Sequence, residues 1–182
     1  MQCAKVINIM RVIKPAMKER LDLVALHRQL GGKLYPGRPH MLIVRMKNAR
    51  SMQIFSGGCI QILGCVKHKV AQAMRHELLA RLSSNSDIAC QQLRHIVERG
   101  RLSIANLVIH VQLKNELSLK NIVQSDSSLF YEIEIFPAAL IRKWSPAHVA
   151  MFHNGNIIIT GVKSFKKLGE LLTCLKDYLP KI

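Results

Sequence analysis

The side chains that most often perform chemistry are scattered along this sequence rather than grouped. The five cysteines, at positions 3, 59, 65, 90 and 174, include no Cys-x-x-Cys pair, so neither a zinc ribbon nor a disulfide framework is indicated. The eight histidines are also dispersed. No Ser-His-Asp set, Cys-His set, phosphate-binding glycine loop or carboxylate pair stands in a suitable context. We therefore expect no enzymatic activity, no metal site and no cofactor.

Positive charge is the clearest chemical signal. Lys and Arg number 27 against 11 Asp and Glu, for a formal net charge of +16, and residues 1–97 hold 16 of the bases and four of the acids. This excess favours a polyanionic partner, above all nucleic acid. The amino terminus lacks the apolar core of a signal peptide, and no run is long enough to span a bilayer. A soluble intracellular protein with no membrane partner is expected.

The segment from Tyr131 to Lys163 contains β-rich apolar runs separated by a Pro-containing turn and by His153-Asn154-Gly155, which predicts a three-stranded meander. A weaker copy lies 97 positions earlier in the chain. Six residues recur at this offset: Arg45, Phe55, Gly58, Ile60, Ile62 and Gly64 return as Arg142, Phe152, Gly155, Ile157, Ile159 and Gly161. The sequence therefore predicts one structural unit present twice, in residues 1–97 and residues 98–182.

Hydrophobic periodicity predicts the same order of elements in both halves: a strand, a short helix, antiparallel strands and a long helix. The predicted ranges are strand 6–12, helix 21–30, strands 41–46, 51–55 and 59–63 and helix 67–82, then strand 104–112, helix 117–123, the meander and helix 165–179. Residues 88–97 predict a further helical turn or two. Neither half can bury a sheet alone, so we expect an α+β fold with one continuous antiparallel sheet and helices on a single face. The other face would need a partner.

These residues resemble the TATA-box-binding protein family, whose two direct repeats form a saddle of curved antiparallel sheet with helices on its convex face. Tyr131-Glu132-x-Glu134-x-Phe136-Pro137 resembles the family's Tyr-Glu-Pro-Glu-Leu-Phe-Pro stirrup. Phe152-x-x-Gly155 and Thr160-Gly161-x-Lys163 resemble its Phe-x-x-Gly and Thr-Gly-Ala-Lys motifs, and Phe55-Ser56-x-Gly58 matches in the first half. The resemblance implies a nuclear transcription initiation factor that binds double-stranded DNA in the minor groove.

The resemblance also implies a set of DNA-contacting residues. Phe136 and Phe152 would form the wedge pair of the second half, and Phe55 would be the remaining wedge of the first. Asn8 and Asn106 would donate hydrogen bonds to base-edge acceptors. The implied groove contacts are Val108, Ile158 and Thr160, and the implied phosphate contacts are Arg45, Arg142 and Lys163.

The first half departs from the family pattern. Pro39 stands where its first wedge Phe belongs, Met10 and Gln61 replace valines, and Leu63 replaces a threonine. A bulky amide and a lost hydroxyl should impair the apolar fit to the groove, so DNA reading is expected mainly in the second half. The other phenylalanines, Phe130 and Phe165, are assigned to core packing.

Two protein-binding surfaces are implied. Glu132 and Glu134 match the family's carboxy-terminal stirrup, which suggests a dock for transcription factor IIB or a related protein; the alternative is a charged edge that discourages sheet pairing. Lys69, Arg75 and Arg81 lie on the polar face of the long helix, where an acidic partner or simple solvation are both open. The altered stretch at residues 33–39 leaves contact with transcription factor IIA undecided.

Three functions stay open on the sequence. The first is a divergent TATA-binding-protein-like factor with degenerate readout in its first half. The second is an adaptor that keeps the scaffold and its protein-binding surfaces without sequence-specific DNA binding. The third is a general nucleic-acid chaperone. The intact Phe136 and Phe152 pair favours the first of these functions.

Overall fold

The structure is a computed structural model that describes residues 3–16, 20–37, 40–126 and 128–179. Its elements, in chain order, are β1 (Cys3–Lys14), α1 (Leu23–Leu30), β2 (Lys33–Tyr35), β3 (Met41–Arg45), β4 (Ser51–Phe55), β5 (Ile60–Leu63), α2 (His68–Ser83), α3 (Ile88–Arg99), β6 (Arg101–Gln112), α4 (Leu119–Ser125), β7 (Leu129–Phe130), β8 (Ala138–Ile141), β9 (His148–Phe152), β10 (Asn156–Val162) and α5 (Phe165–Tyr178). The strands form a ten-stranded sheet in the order β2-β3-β4-β5-β1-β6-β10-β9-β8-β7. The predicted α+β class is confirmed.

Backbone contacts divide the chain into two compact units. The N-terminal unit comprises Ile9–Ala105, and the C-terminal unit comprises Met1–Asn8 with Asn106–Ile182. The division falls inside β1 and inside β6 rather than in a linker. The predicted boundary between sequence repeats, after residue 97, stays a prediction.

In the N-terminal unit, alternating strand residues face the helices. Leu42 and Val44 of β3 are fully buried, while Met41 and Ile43 between them are half-buried. The same alternation runs through β4 and β5. The buried strand residues pack with apolar residues of three helices, among them Leu23, Leu26, Met74, Leu78, Leu82, Leu93 and Ile96. One sheet face is thus a core, and no described element of the unit covers the other face.

Aspartate caps decide where two helices of this unit begin. The Asp22 carboxylate accepts the backbone N–H groups of Val24 and Ala25 at 2.9 and 3.0 Å, so α1 begins at Leu23 rather than at residue 21. Asp87 caps α3 through the Ala89 N–H at 2.8 Å. Residues 88–97, for which one or two helical turns were predicted, belong to a 12-residue helix. The second half has no counterpart to this helix among its described elements.

The C-terminal unit repeats the strand register of the N-terminal unit. Ala138 lies opposite Phe152 and Ile158 opposite Ala150, as Met41 lies opposite Phe55 and Gln61 opposite Gln53 at an offset of 97 positions. The predicted meander is therefore confirmed as β8, β9 and β10. Leu168, Leu171 and Leu175 form the buried face of α5, which lies against β10.

The run from Tyr131 to Phe136 alternates like a strand but forms a turn. The N–H groups of Ile135 and Phe136 both donate to the carbonyl of Glu132, at 3.0 and 2.9 Å. A strand needs a neighbour to satisfy its backbone groups, and β7 pairs with β8 only through Leu129 and Phe130. The first strand of the meander is therefore β8, which begins at Ala138.

Two core assignments were wrong. Phe130 is 39% exposed and Phe165 is 54% exposed. Phe130 ends the two-residue edge strand β7, where the guanidinium of Arg142 lies 5.3 Å from its ring centroid. Phe165 is the first residue of α5 and precedes the first buried position of that helix, Leu168.

Candidate nucleic-acid interface

The sheet face away from the helices carries most of the predicted groove contacts. On β6, Leu107 and Ile109 are buried, while Asn106 and Val108 between them are half-buried on the opposite face. On β10, Ile157 and Ile159 are buried, and the half-buried Ile158 and Thr160 lie on the opposite face. We call the strand face turned away from the helices the open face of each unit. The C-terminal unit brings all four predicted contacts onto its open face.

The orientation of Asn106 is fixed by a backbone group. Its Oδ1 accepts the N–H of Gly161 at 2.7 Å, at the irregularity that interrupts the pairing of β10 with β6 between Ile159 and Val162. Because the oxygen is occupied, the Nδ2 amino group with its two donors is the end of the amide left for another partner. Asn8, on β1, is half-buried.

Gly161 is required for this arrangement. Its φ of +82° lies in the left-handed region, and an added Cβ would lie 2.2 Å from the Pro146 carbonyl oxygen. A larger residue would therefore displace the backbone that donates to Asn106.

Phe136 and Phe152 meet at one end of the C-terminal unit. Their ring centroids are 6.0 Å apart with an interplanar angle of 65°, an edge-to-face contact. Phe136 is 41% exposed and follows the turn at Glu132, whereas Phe152 projects from the end of β9 opposite Ala138. The structure therefore joins two residues that lie 16 positions apart in the sequence into one aromatic pair, in which Phe136 is exposed and Phe152 is half-buried.

The equivalent end of the N-terminal unit is different. Phe55 is half-buried and lies opposite Met41, and no aromatic ring contacts it among the described residues. Pro39 stands where the resemblance places the first wedge Phe. Pro39 and Arg38 both lie outside the described residues. In the described part of this unit, Phe55 is thus a single candidate wedge.

Polar side chains that no sequence motif singled out, those of His110, Gln112 and Gln53, also occupy the open faces. In the C-terminal unit, His110 Nε2 lies 2.6 Å from Asn156 Oδ1, and Gln112 Nε2 donates to the carbonyls of Leu113 and Asn154 at 3.1 and 3.2 Å. In the N-terminal unit, Gln53 lies directly opposite Gln61. Alternation from Val108 and from Phe55 could have placed these residues on the open face.

The three predicted phosphate contacts are exposed but differently supported. Arg142 lies against the ring of Phe130, which holds its guanidinium at the surface. Arg45 ends β3, and its backbone carbonyl accepts a hydrogen bond from Arg81 at 2.9 Å. Lys163, just after β10, lines a surface cavity of about 310 Å³ together with Trp144, Lys167 and Glu170.

The acidic turn forms a second candidate surface. Glu132 and Glu134 are exposed and line a surface cavity of about 430 Å³ with Lys120 and Tyr131. Ile133 and Ile135 alternate with them and are 62% and 71% exposed. Two carboxylates beside two exposed apolar side chains suit a partner that offers both a base and an apolar group.

The basic residues predicted on α2 have separate roles in the structure. Lys69 is exposed. Arg75 Nη2 donates to the carbonyl of Glu98 at 2.7 Å and ties α2 to α3. Arg81 donates to the carbonyl of Arg45 and forms an ion pair with Glu77. Both arginines therefore already have structural partners.

A polar cluster joins α5 to the loop after β8. Asp126 Oδ2 accepts from Lys143 Nζ at 2.8 Å and from the Tyr178 hydroxyl at 2.7 Å. These hydrogen bonds, that from Lys143 first, hold the pKa of Asp126 below its ordinary value. Burial, reinforced by Asp126, raises the pKa of Tyr178. Lys143 Nζ also lies 3.8 Å from the Tyr178 ring centroid. The ring of Trp144 makes an edge-to-face contact with the same Tyr178 ring.

Neither metal ligation nor membrane insertion is indicated by what the structure describes. Within residues 3–16, 20–37, 40–126 and 128–179, no three His, Cys, Asp or Glu side chains are grouped so that they could hold a metal ion. Burial raises the pKa of the thiols of Cys59, Cys65 and Cys90, which disfavours the thiolate that binds metals. No described helix has the length and apolar character needed to cross a membrane.

Comparison with known proteins adds the following findings. The family model described as Transcription factor TFIID (or TATA-binding protein, TBP) matches residues 101–182. The TBP-related factor of Drosophila melanogaster is 27% identical over 164 residues, which cover 88% of this chain and 68% of that protein. TATA-box-binding protein-like 1 of Entamoeba histolytica is 32% identical over 82 residues, 44% of this chain and 38% of that protein.

Among solved structures, Methanococcus jannaschii TBP matches the fold with a TM-score of 0.78 at 21% identity, covering 99% of each chain. The fold predicted from the resemblance is thereby confirmed.

Proposed function

Because this chain is a divergent TBP-like protein, we propose that it binds the minor groove of double-stranded DNA and recruits basal transcription factors there. The family supports a role in transcription initiation, carried out by transcription factors that are not enzymes. The finer proposal is that the C-terminal unit supplies most of the DNA reading, in the nucleus, while the N-terminal unit contributes less specific contacts.

The partly exposed aromatic pair of Phe136 and Phe152 carries this proposal. Two phenylalanine rings 6.0 Å apart, with Phe136 41% exposed, are an unfavourable surface unless a partner covers them. TATA-binding proteins are themselves the standard example of wedges that enter a base step and kink the duplex, at a cost of a few kcal/mol in unstacking. We propose this role for Phe136 and Phe152, with Phe55 as a weaker wedge in the N-terminal unit.

The open face beside the pair supports groove binding independently. A·T pairs present only acceptors in the minor groove, and the Asn106 amide has its oxygen occupied by Gly161 and its amino group free to donate. Asn8 is proposed to act in the same way. The half-buried Val108, Ile158 and Thr160 supply the mostly apolar surface that would fit between such donors.

The net charge of +16 supports attraction to a phosphate backbone. We assign the phosphate contacts to the exposed Arg45, Arg142 and Lys163. Because these contacts read no sequence, they position the duplex rather than select it.

Partner recruitment is proposed at two surfaces. Glu132 and Glu134, with the exposed Ile133 and Ile135, would receive transcription factor IIB or a related protein through basic and apolar groups. Lys69 on α2 would receive an acidic partner protein. Arg75 and Arg81 would mainly hold that surface in place, because their guanidinium groups already bind Glu98, Arg45 and Glu77.

One observation favours a second function, that of an adaptor without sequence-specific DNA binding. In the N-terminal unit the open face carries Gln53, Gln61 and Leu63 and a single described wedge, Phe55. Competition binding separates the two functions. An adaptor would bind TATA-like and G·C-rich duplexes equally at physiological salt while retaining transcription factor IIB.

The wedge pair provides the direct test. We expect Phe136→Ala plus Phe152→Ala to abolish bending of A·T-rich duplex DNA, measured by energy transfer between dyes at the duplex ends. Non-specific binding of the duplex through the positive charge of the protein should be unchanged. Phe165→Ala, which removes another exposed ring, on α5, is the control and should bend DNA normally. If the double variant bends DNA as well as the parent does, the proposed minor-groove mode is wrong.

A further inference from the structure

Two glutamines form a cross-strand pair on the open face of the N-terminal unit. Gln53 of β4 lies directly opposite Gln61 of β5, and the pair is flanked by Ile43 of β3 and Val12 of β1. Side chains directly opposite on antiparallel strands have Cβ atoms about 5 Å apart. The two amides therefore sit side by side in an otherwise apolar row.

Neither amide is used inside the protein. Both side chains are half-buried, and across the described residues no hydrogen bond involves the side-chain amide of Gln53 or of Gln61. Their strand neighbours Met52, Ile54, Ile60 and Ile62 are fully buried on the helix side. The glutamines thus contribute nothing to the core and present four unused polar atoms on the face proposed to meet the groove.

The C-terminal unit has no such pair at the equivalent place. Its corresponding row reads Leu140, Ala150, Ile158 and His110, so Ala150 and Ile158 occupy the positions of Gln53 and Gln61. Since the register of the strands is the same in both units, the difference lies in the side chains that face the groove and not in the backbone.

Minor-groove chemistry distinguishes these two rows. An A·T pair offers only acceptors, whereas a G·C pair adds the guanine 2-amino donor. A primary amide needs a donor for its oxygen as well as acceptors for its hydrogens. Pressed against A·T pairs, the oxygens of Gln53 and Gln61 would lose water and gain nothing, a penalty that falls on unpaired buried polar groups. The guanine amino group removes that penalty.

We propose that Gln53 and Gln61 read the guanine 2-amino group, so that the N-terminal unit recognises a half-site containing G·C pairs while the C-terminal unit recognises A·T pairs. This inference rests on the proposed minor-groove function. It reverses the expectation from Gln61 alone, which was a poorer fit. The strand register shows that Gln53 lies beside Gln61. With two amides side by side, the guanine 2-amino group becomes the ligand that we assign to them.

Inosine substitution tests the inference with one functional group. Duplexes first selected from random sequence are compared with copies in which each guanine of the N-terminal half-site is replaced by inosine, which lacks the 2-amino group. We expect about a tenfold loss of affinity at one or two positions, within the range of a base-specific contact. Equal affinity at every position would overturn the inference.

A paired variant makes the test specific to this row. Gln53→Ala plus Gln61→Ile installs the residues of the C-terminal unit, and we expect it to bind guanine and inosine duplexes equally and to gain affinity for an A·T half-site. Gln92→Ala, on the exposed face of α3, is the control and should discriminate as the parent does. Discrimination that persists in the double variant contradicts the assignment, and circular dichroism checks that the sheet is intact.

Failure of this inference is distinguishable from failure of the proposed function. If the protein selects and bends DNA but ignores inosine, only the glutamine assignment is wrong. If it neither selects a duplex nor bends one through Phe136 and Phe152, the minor-groove function itself is wrong, and the glutamine assignment falls with it.

Discussion

The two units share a strand register but not an exposed surface. Their turn glycines have matching conformations, with φ of 78° at Gly58 and 76° at Gly155, and 74° at Gly64 and 82° at Gly161. Their buried strand positions are apolar in both, with the exception of Arg11 on β1 of the N-terminal unit. The chemical differences lie on the open faces, because successive side chains of a strand point to opposite sides. One face can therefore change its ligand while the other keeps the fold.

The largest expected effect comes from two equivalent glycines. Replacing either by Ala strains a positive φ by about 1 kcal/mol. At Gly161 the new Cβ would also lie 2.2 Å from a backbone oxygen, whereas at Gly64 the nearest atom is an Arg50 side-chain carbon at 3.8 Å. We expect Gly161→Ala to lower the free energy of unfolding by about 3 kcal/mol and Gly64→Ala by about 1 kcal/mol. Urea denaturation measures both, and equal losses would mean that the clash at Gly161 is relieved.

The next prediction separates the structural and DNA-binding roles of Asn106. Asn106→Asp keeps an oxygen for the Gly161 N–H but replaces the amino group by a carboxylate oxygen, which groove acceptors and phosphates repel. We expect near-parental stability and a loss of about 1–3 kcal/mol in binding an A·T-rich duplex. Asn106→Ala should lower both the stability and the affinity for the A·T-rich duplex. Stability and DNA affinity that fall together in the Asp variant would indicate a purely structural residue.

The polar cluster of the C-terminal unit predicts an acid-dependent stability. Because hydrogen bonds from Lys143 and Tyr178 lower the pKa of Asp126, the folded state gains stability above the unfolded carboxyl pKa of about 4 and loses it as pH falls further. Asp126→Asn should therefore be less stable than the parent at pH 7, with the difference shrinking below about pH 4. Fluorescence of Trp144, the single tryptophan, follows unfolding. A difference independent of pH would exclude the carboxylate as the cause.

The smallest effect is a matched change in salt dependence. Arg45 and Arg142 occupy equivalent positions in the two repeats, and each phosphate contact contributes about 0.9 to the slope of log Kobs against log salt. We expect Arg45→Gln and Arg142→Gln each to reduce that slope by about one contact without changing sequence preference. If only Arg142→Gln has an effect, the duplex contacts one unit alone.

Much of the fold could be predicted from the sequence because it depends on local patterns. The offset of 97 positions, the alternating strands and the helical stripe of Met74, Leu78 and Leu82 all reflect which side chains must be buried. The meander was predicted from Tyr131, but its first strand begins only at Ala138. The run from Tyr131 to Phe136 forms a turn because β7 offers it no ladder of backbone partners. The exposure of Phe130 and Phe165 was missed for a related reason, since hydrophobicity alone does not say which apolar residues are left outside a core.

The candidate site was predictable in its residue types more than in its contacts. The family motifs pointed to Phe136 and Phe152, and the structure added that their rings touch. Nothing in the sequence indicated that Arg75 and Arg81 bind backbone carbonyls of α3 and β3, or that Gln53 faces Gln61. Such contacts depend on which surfaces the helices and strands bring together.

Sequence alone establishes the repeat, the turn glycines, the alternation of buried residues and the excess of positive charge, because each is a local or compositional property. Three features depend on folding: the aromatic pair, the row of glutamines and the orientation of Asn106, which is fixed by Gly161 at a distance of 55 positions in the chain. These features require groups distant in the chain to meet at fixed geometry. Strand register and packing set that geometry, and hydrogen bonding then fixes which polar atoms stay available to a ligand.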